Sequence, residues 1–126
     1  MTELARFRGF HHVQLAMPAG EEDRAERFYS GILGLQRIPK PDHLAARGGC
    51  WFRSESGALE LHLGVEEDFR PAHKAHPALL VDGLAGLRER LEKEAATVEE
   101  DTQLEGHERF YASDPFANRL EFIEVR

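Results

Sequence analysis

Four side chains able to hold a metal or move a proton recur at matching places in this sequence: His12, Glu60, His76 and Glu121. Each histidine precedes a helical pattern, and each glutamate lies near the end of one half of the chain. Glu121 is the most constrained of the four. Side chains alternate along a strand, so in Leu120-Glu-Phe-Ile-Glu-Val125 its carboxylate shares a face with Ile123 and Val125. A carboxylate there must be ion-paired, hydrogen-bonded or bound to a metal, because burying it alone costs several kcal/mol or forces it to take up a proton. Glu60 has a rival on its own strand. Ala58-Leu-Glu-Leu-His-Leu63 alternates cleanly, which puts Glu60 and His62 on one face, opposite Leu59, Leu61 and Leu63.

The elements that position these residues can be read in order. Phe10 to Met17 is an apolar strand with His12, Gln14 and Ala16 on one face, broken by Pro18-Ala-Gly20. Ala25, Phe28, Tyr29 and Ile32 then recur at helical spacing behind the acidic turn Glu21-Glu-Asp23, and Gly34 ends that helix. Leu35–Ile38, Gly48–Ser54 and Ala58–Leu63 read as three strands. After a loop from Gly64 to Ala75 the order starts again. His76–Val81 is a strand and Leu84–Ala96 an amphipathic helix; Thr97–Thr102, Glu108–Ala112 and the stretch to Val125 are strands, with the turn Asp114-Pro-Phe-Ala-Asn118 before the last. This is an internal repeat of about 60 residues, strand, helix and three strands in each half.

Composition sets the outer limits. A chain of 126 residues that is 41% hydrophobic has room for one core. It has no apolar run of about 18 residues and no signal-like start, so it reads as a soluble cytoplasmic protein with no membrane partner. A formal charge of −7 with scattered basic residues argues against nucleic acid. The single cysteine, Cys50, has no partner for an intrachain disulfide and sits beside Trp51-Phe52 in an apparent packed strand.

With these elements the chain resembles the vicinal oxygen chelate superfamily, which includes glyoxalase I, fosfomycin-resistance thiol transferases, bleomycin-binding proteins and extradiol dioxygenases. The resemblance rests on Phe10-His-His-Val-Gln-Leu15, Phe28-Tyr-Ser-Gly-Ile-Leu-Gly-Leu35, His76-Pro-Ala-Leu-Leu-Val-Asp82 and Asp114-Pro-Phe-Ala-Asn-Arg-Leu-Glu121. It implies an α+β fold of two βαβββ modules forming an incomplete barrel. That is one domain over residues 8–126, with module 1 at about 8–66 and module 2 at about 74–126. By the same resemblance His12, Glu60, His76 and Glu121 are the metal ligands, with His62 an alternative to Glu60. The ion is divalent, of the Zn, Ni, Co, Mn or Fe type.

The implied activity is that of a glyoxalase-like lyase or isomerase on a small substrate chelated through adjacent oxygens, with Glu121 or Glu60 as proton carrier. Alternatives within the resemblance are an antibiotic-modifying thiol transferase, a small ring-cleaving dioxygenase, and a metal-free binding protein like those for bleomycin. A homodimer is expected, with modules paired within a chain or exchanged between subunits. Phe28 and Tyr29 read as core, and Trp51, Arg53, Arg109 and Tyr111 as candidate walls of the substrate site. The arginines among them suit an anionic substrate group. His11 is expected to face the helices, and His43, His73 and His107 to lie in loops. Ala117 stands where the family's turn carries glycine.

Overall fold

The computed structural model describes residues 2–100 and 104–126. The first module runs β1 (Val13–Met17), α1 (Glu22–Glu26) continued by a π-helical segment (Arg27–Ile32), β2 (Gln36–Ile38), a short α2 (Asp42–Ala45), β3 (Cys50–Arg53) and β4 (Glu60–Val65). The second runs β5 (Ala78–Leu80), α3 (Leu84–Lys93), β6 (Val98–Glu99), β7 (His107–Ser113) and β8 (Arg119–Val125). Each module makes one four-stranded mixed sheet, ordered β1-β4-β3-β2 and β5-β8-β7-β6. In each, the first strand lies parallel beside the last and the other pairs are antiparallel. Neither sheet closes into a barrel, so the two βαβββ modules form an open α+β architecture.

Alternation decides which face each sheet buries. Phe52, Leu61 and Leu63 from the first sheet and Phe110, Leu120 and Phe122 from the second belong to one hydrophobic cluster, together with Phe28 and Tyr29. The alternate residues of the same strands, Trp51, Glu60, His62, Tyr111 and Glu121, therefore face away from that cluster. α3 is amphipathic, with Leu84 and Leu91 buried. Its first turn is capped from outside: the backbone N–H groups of Leu84 and Gly83 donate to the Glu124 carboxylate at 3.0 and 3.3 Å. Those bonds hold the Glu124 carboxyl below its ordinary range.

The modules are joined by a buried polar clasp. Asp114 Oδ1 accepts from the backbone N–H of Phe116 and of Asn118 at 2.8 and 2.9 Å, and Oδ2 accepts from Tyr29 Oη at 2.7 Å. Asn118 Nδ2 donates to Asp114 Oδ2 and, across the module boundary, to the carbonyl of Ala16 at 2.8 Å. Burial pushes the Asp114 carboxyl above its usual value against the pull of these donors, and burial followed by the Asp114 charge pushes the Tyr29 phenol far up. The same turn needs a left-handed residue, and Ala117 supplies it at φ 67°.

Several element bounds differ from the pattern-based reading. The first strand begins at Val13 rather than Phe10 and the fifth at Ala78 rather than His76, so both histidines sit just before their strands. α3 stops at Lys93, where Ala95 turns left-handed at φ 59°. The sixth strand is only Val98–Glu99; positions 101 and 102 of the expected strand lie outside the described residues. α2 has no counterpart in the pattern, because Asp42–Ala45 is too short to show helical periodicity. Cys50 is buried beside the close approach of Gly49 to β4. A Cβ at Gly49 would stand 2.2 Å from the Leu63 carbonyl oxygen, so only glycine fits.

Two stability outcomes follow. Tyr29→Phe deletes the bond to the Asp114 carboxylate and is expected to lower unfolding free energy by about 1–3 kcal/mol in urea titration; a loss under about 0.5 kcal/mol would show the clasp to be dispensable. Ala117→Gly relieves a left-handed alanine and is expected to gain about 0.5–1 kcal/mol after the glycine's own entropy cost. An unchanged or lower midpoint contradicts that account of the turn.

Candidate functional site

On the outer face of the first sheet, β3 and β4 bring Trp51, Arg53, Glu60 and His62 together. His62 Nε2 donates to Glu60 Oε2 at 2.8 Å, and Arg53 donates to Glu60 Oε1 from Nη2 at 2.9 Å and from Nε at 3.2 Å. The His62 hydrogen bond, then that of Arg53, holds the Glu60 carboxyl below its ordinary value. Burial lowers the His62 value, only partly offset by Glu60. The imidazole is also clamped between rings, with Trp51 at 4.0 Å and 4° and His12 at 4.2 Å and 18°. His12 is exposed, and its Nδ1 shares a hydrogen bond with His11 Nδ1 at 2.9 Å. His11, expected to face the helices, is exposed too, because both histidines precede the strand that would have fixed their sides.

The second sheet carries its own pair. His76 Nδ1 donates to the carbonyl of Lys74 at 2.8 Å, and its Nε2 lies 2.9 Å from Glu121 Oε1, a hydrogen bond that needs the doubly protonated ring. That carbonyl fixes the ring so that Nε2 faces the carboxylate, the orientation in which a histidine presents Nε2 to a metal. Arg109 Nη1 donates to Glu121 Oε2 at 3.3 Å. Burial pushes the Glu121 carboxyl up, but the bonds from His76 and Arg109 outweigh it, and the net value lies below the ordinary one. Tyr111 stands edge-on to His76 with ring centroids 5.2 Å apart.

Strand register identifies which positions correspond between the modules. In the first sheet Gln14 pairs His62 and Trp51 pairs His62; in the second Ala78 pairs Glu121 and Tyr111 pairs Glu121. Gln14 and Ala78 each lie two residues after their histidine. His62 therefore occupies the place that Glu121 occupies in the other half, between Leu61 and Leu63 as Glu121 lies between Leu120 and Phe122. His62 and Glu121 are buried to a similar degree, 4% and 5% exposed. Glu60 corresponds instead to Arg119. No local signal separates the two, since Leu59 and Leu61 flank Glu60 as Leu61 and Leu63 flank His62.

Thus the structure brings His76 together with Glu121 and brings His12 to His62, with Glu60 bonded behind it. It does not gather all four expected positions into one cluster: among the described residues no group of three or more His, Cys, Asp or Glu side chains within the chain could hold a metal ion. The cause is architectural. Both donor faces are turned away from the one core that the sheets share. Of the other residues weighed, Cys50 is buried and its thiol is pushed up to about 11, which makes it unreactive. His43 and His107, expected in loops, lie within α2 and at the start of β7. No helix among the described residues is long and apolar enough to cross a membrane.

Comparison with known proteins agrees with this fold. Residues 9–122 match the family model of the Glyoxalase/Bleomycin resistance protein/Dioxygenase superfamily. A crystal structure of a glyoxalase family protein from Bacillus anthracis is 43% identical, covers 98% of this chain and 100% of its own, and superposes with a TM-score of 0.91. The fold alone is shared with two more distant structures. Fosfomycin resistance protein FosX from Mesorhizobium loti is 15% identical over 96% of this chain and 95% of its own, with a TM-score of 0.69. An antibiotic binding protein from a Streptomyces species is 16% identical over 96% of this chain and 100% of its own, with a TM-score of 0.72. No curated protein matched.

The Glu121 pair has a pH signature. Its folded-state value is depressed, so the stability it contributes is present above the unfolded value of 4.5 and is lost as pH falls through the lower folded value. His76→Ala removes one of the two donors that depress it. The Glu121 titration followed by carbon NMR should then move upward, with a shallower loss of stability below pH 4.5. An unmoved titration would mean that Arg109 alone sets the carboxylate.

Proposed function

The chain belongs to the glyoxalase/bleomycin resistance protein/dioxygenase superfamily, and we propose that it is a metal-dependent glyoxalase-like enzyme, a lyase or isomerase acting on a small substrate with adjacent oxygens. The observation that carries this reading is the pair of equivalent donor faces, His12 and His62 in one module and His76 and Glu121 in the other. Three imidazoles and a carboxylate suit a divalent ion of the Zn, Ni, Co, Mn or Fe type. Glu60, two residues from His62, would orient that imidazole or enter the set itself. When bound, the ion would supply a Lewis acid for the substrate's adjacent oxygens.

The residues of the chain do the rest. Glu121, whose second oxygen would keep the Arg109 bond once His76 Nε2 turned to an ion, would be the side chain to accept a proton from a carbon beside the substrate's adjacent oxygens. Glu60 is the other candidate proton carrier, held ionised by His62 and Arg53.

Because the donor faces point away from each other's core side, we assign the complete site to a homodimer in which module 1 of one protomer faces module 2 of its partner. β1 and β5 are both open sheet edges. Leu4, Phe7 and Phe10, each more than 90% exposed, and Leu80 at 76% on β5 supply apolar surface for such a contact. A second reading, a metal-free binding protein, is favoured by the Trp51–His62–His12 ladder, whose stacked rings would suit a planar ligand.

Subunit exchange tests the assignment. Mixing unfolded His12→Ala and His76→Ala chains and refolding them together should restore metal uptake to about a quarter of the parental sites, because half of the dimers then carry one intact site of two. Either variant alone should bind little metal. No restoration on mixing would place the site within one chain, and no stoichiometric uptake of Zn, Ni or Co by the parent would favour the binding protein. Oxygen-dependent turnover with iron would move the reading to dioxygenation.

A further inference from the structure

Three arginines lie on the outer faces of the inner strands, and two of them are paired with carboxylates. Arg53 bonds Glu60 and Arg109 bonds Glu121. Arg119 does not follow them. It sits on the same face as Glu121, two residues earlier on β8, and forms no ion pair or hydrogen bond with any described carboxylate. Its guanidinium lies instead over the ring of Tyr111, with Cζ 4.1 Å from the centroid. In a chain of net charge −7, an arginine on a donor face with an aromatic ring as its only described side-chain partner is the exception.

That guanidinium opens into a pocket of about 370 Å³ lined by Arg119, Tyr111, Ser113, His73 and Glu99 among others. The volume suits a small organic molecule. One wall of the pocket is the ring that also touches His76, so the pocket and the His76–Glu121 pair are neighbours across Tyr111. A guanidinium stacked on an aromatic ring keeps its in-plane N–H fork available, and that fork matches the two oxygens of a carboxylate or phosphate. Ser113, opposite Arg119 in the β7–β8 register, adds a hydroxyl donor. Glu99, exposed and opposite Tyr111 on β6, sets a limit, because a second negative charge at that end would be repelled.

We propose that Arg119, stacked on Tyr111, is the recognition site for a single carboxylate end group on a small substrate whose adjacent oxygens reach the His76–Glu121 pair. This deepens the glyoxalase-like reading and rests on it for the second half of the substrate. It narrows the class to monoanionic hydroxy or oxo compounds. The anion pocket itself lies within one chain, on the second module and the loop that precedes it.

The test separates the pocket from the metal site. Metal-free full-length protein with labelled arginine is titrated with butyrate and with its neutral isostere butyramide while the Arg119 Nε–Hε resonance is followed by NMR. Butyrate should give a saturable shift at Arg119 and at the Tyr111 ring, and butyramide none. Arg119→Gln should weaken butyrate at least about tenfold and Arg119→Lys less, since lysine keeps the charge and loses the fork. Thermal unfolding of both variants checks that they fold. Equal responses to acid and amide, shifts centred on Arg53 or Arg109, an unaltered affinity in Arg119→Gln, or no butyrate binding by the parent each overturn the proposal. Cobalt titration of the parent runs beside it. Failed cobalt uptake with butyrate binding intact would remove the metal reading and leave the pocket, and the converse would remove only the pocket.

Discussion

Each sheet in this protein has two faces and one shared core to fill, and most of the structure follows from that. Phe52, Leu61 and Leu63 in one module and Phe110, Leu120 and Phe122 in the other turn inward to the same cluster. Burying side chains of that size contributes about 1.5–3 kcal/mol each, so the apolar set dictates the register of every strand that carries it. The polar residues between them have no choice but to face outward. His62 and Glu121 are at the outer surface because their neighbours are in the core.

Outward does not mean solvated. His62 and Glu121 stay nearly inaccessible because aromatic and long polar side chains on adjacent strands cover them, and each is held by hydrogen bonds that offset the loss of water. The Trp51 and His12 rings cover one, and His76, Arg109 and Tyr111 surround the other. Such shells fix side-chain direction before any ligand arrives, which is what a metal or a proton transfer requires. The Asp114 clasp works on the same principle at the module boundary, where a buried carboxylate is tolerated because four donors surround it.

Much of this could be read from residue order. The repeat, the strand that carries Glu121, and the turn at Asp114-Pro-Phe-Ala-Asn118 all rest on alternation and turn chemistry, which are local, and the structure has them where the pattern put them. The choice between Glu60 and His62 was not local. It depends on which residue of β4 lies beside Gln14, and a parallel pairing set by a long crossover leaves no mark in the residues between. Whether His12 and His76 fall inside or before their strands was equally hidden, since each is decided by where the neighbouring strand stops offering partners. The separation of the two donor faces could not be read at all, because it depends on which sides of two modules pack.

The register that equates His62 with Glu121 also equates Trp51 with Tyr111, Arg53 with Ser113 and Glu60 with Arg119. The two modules share one frame, and their faces differ in charge. The first face keeps an acid beside its buried imidazole and pairs Arg53 with it. The second keeps a buried acid and leaves an arginine over a ring. If two such faces are opposed across a dimer, the cup between them has one wall of stacked rings and one wall with an uncompensated cation. A substrate with a charged end and a chelating end would then have one preferred direction, because the Arg119 side rewards the anion and Glu60 on the opposite wall penalises it. Symmetric dimers often hold symmetric sites, but here each site would be built from two unlike walls, and the difference between those walls is what gives the bound molecule its orientation.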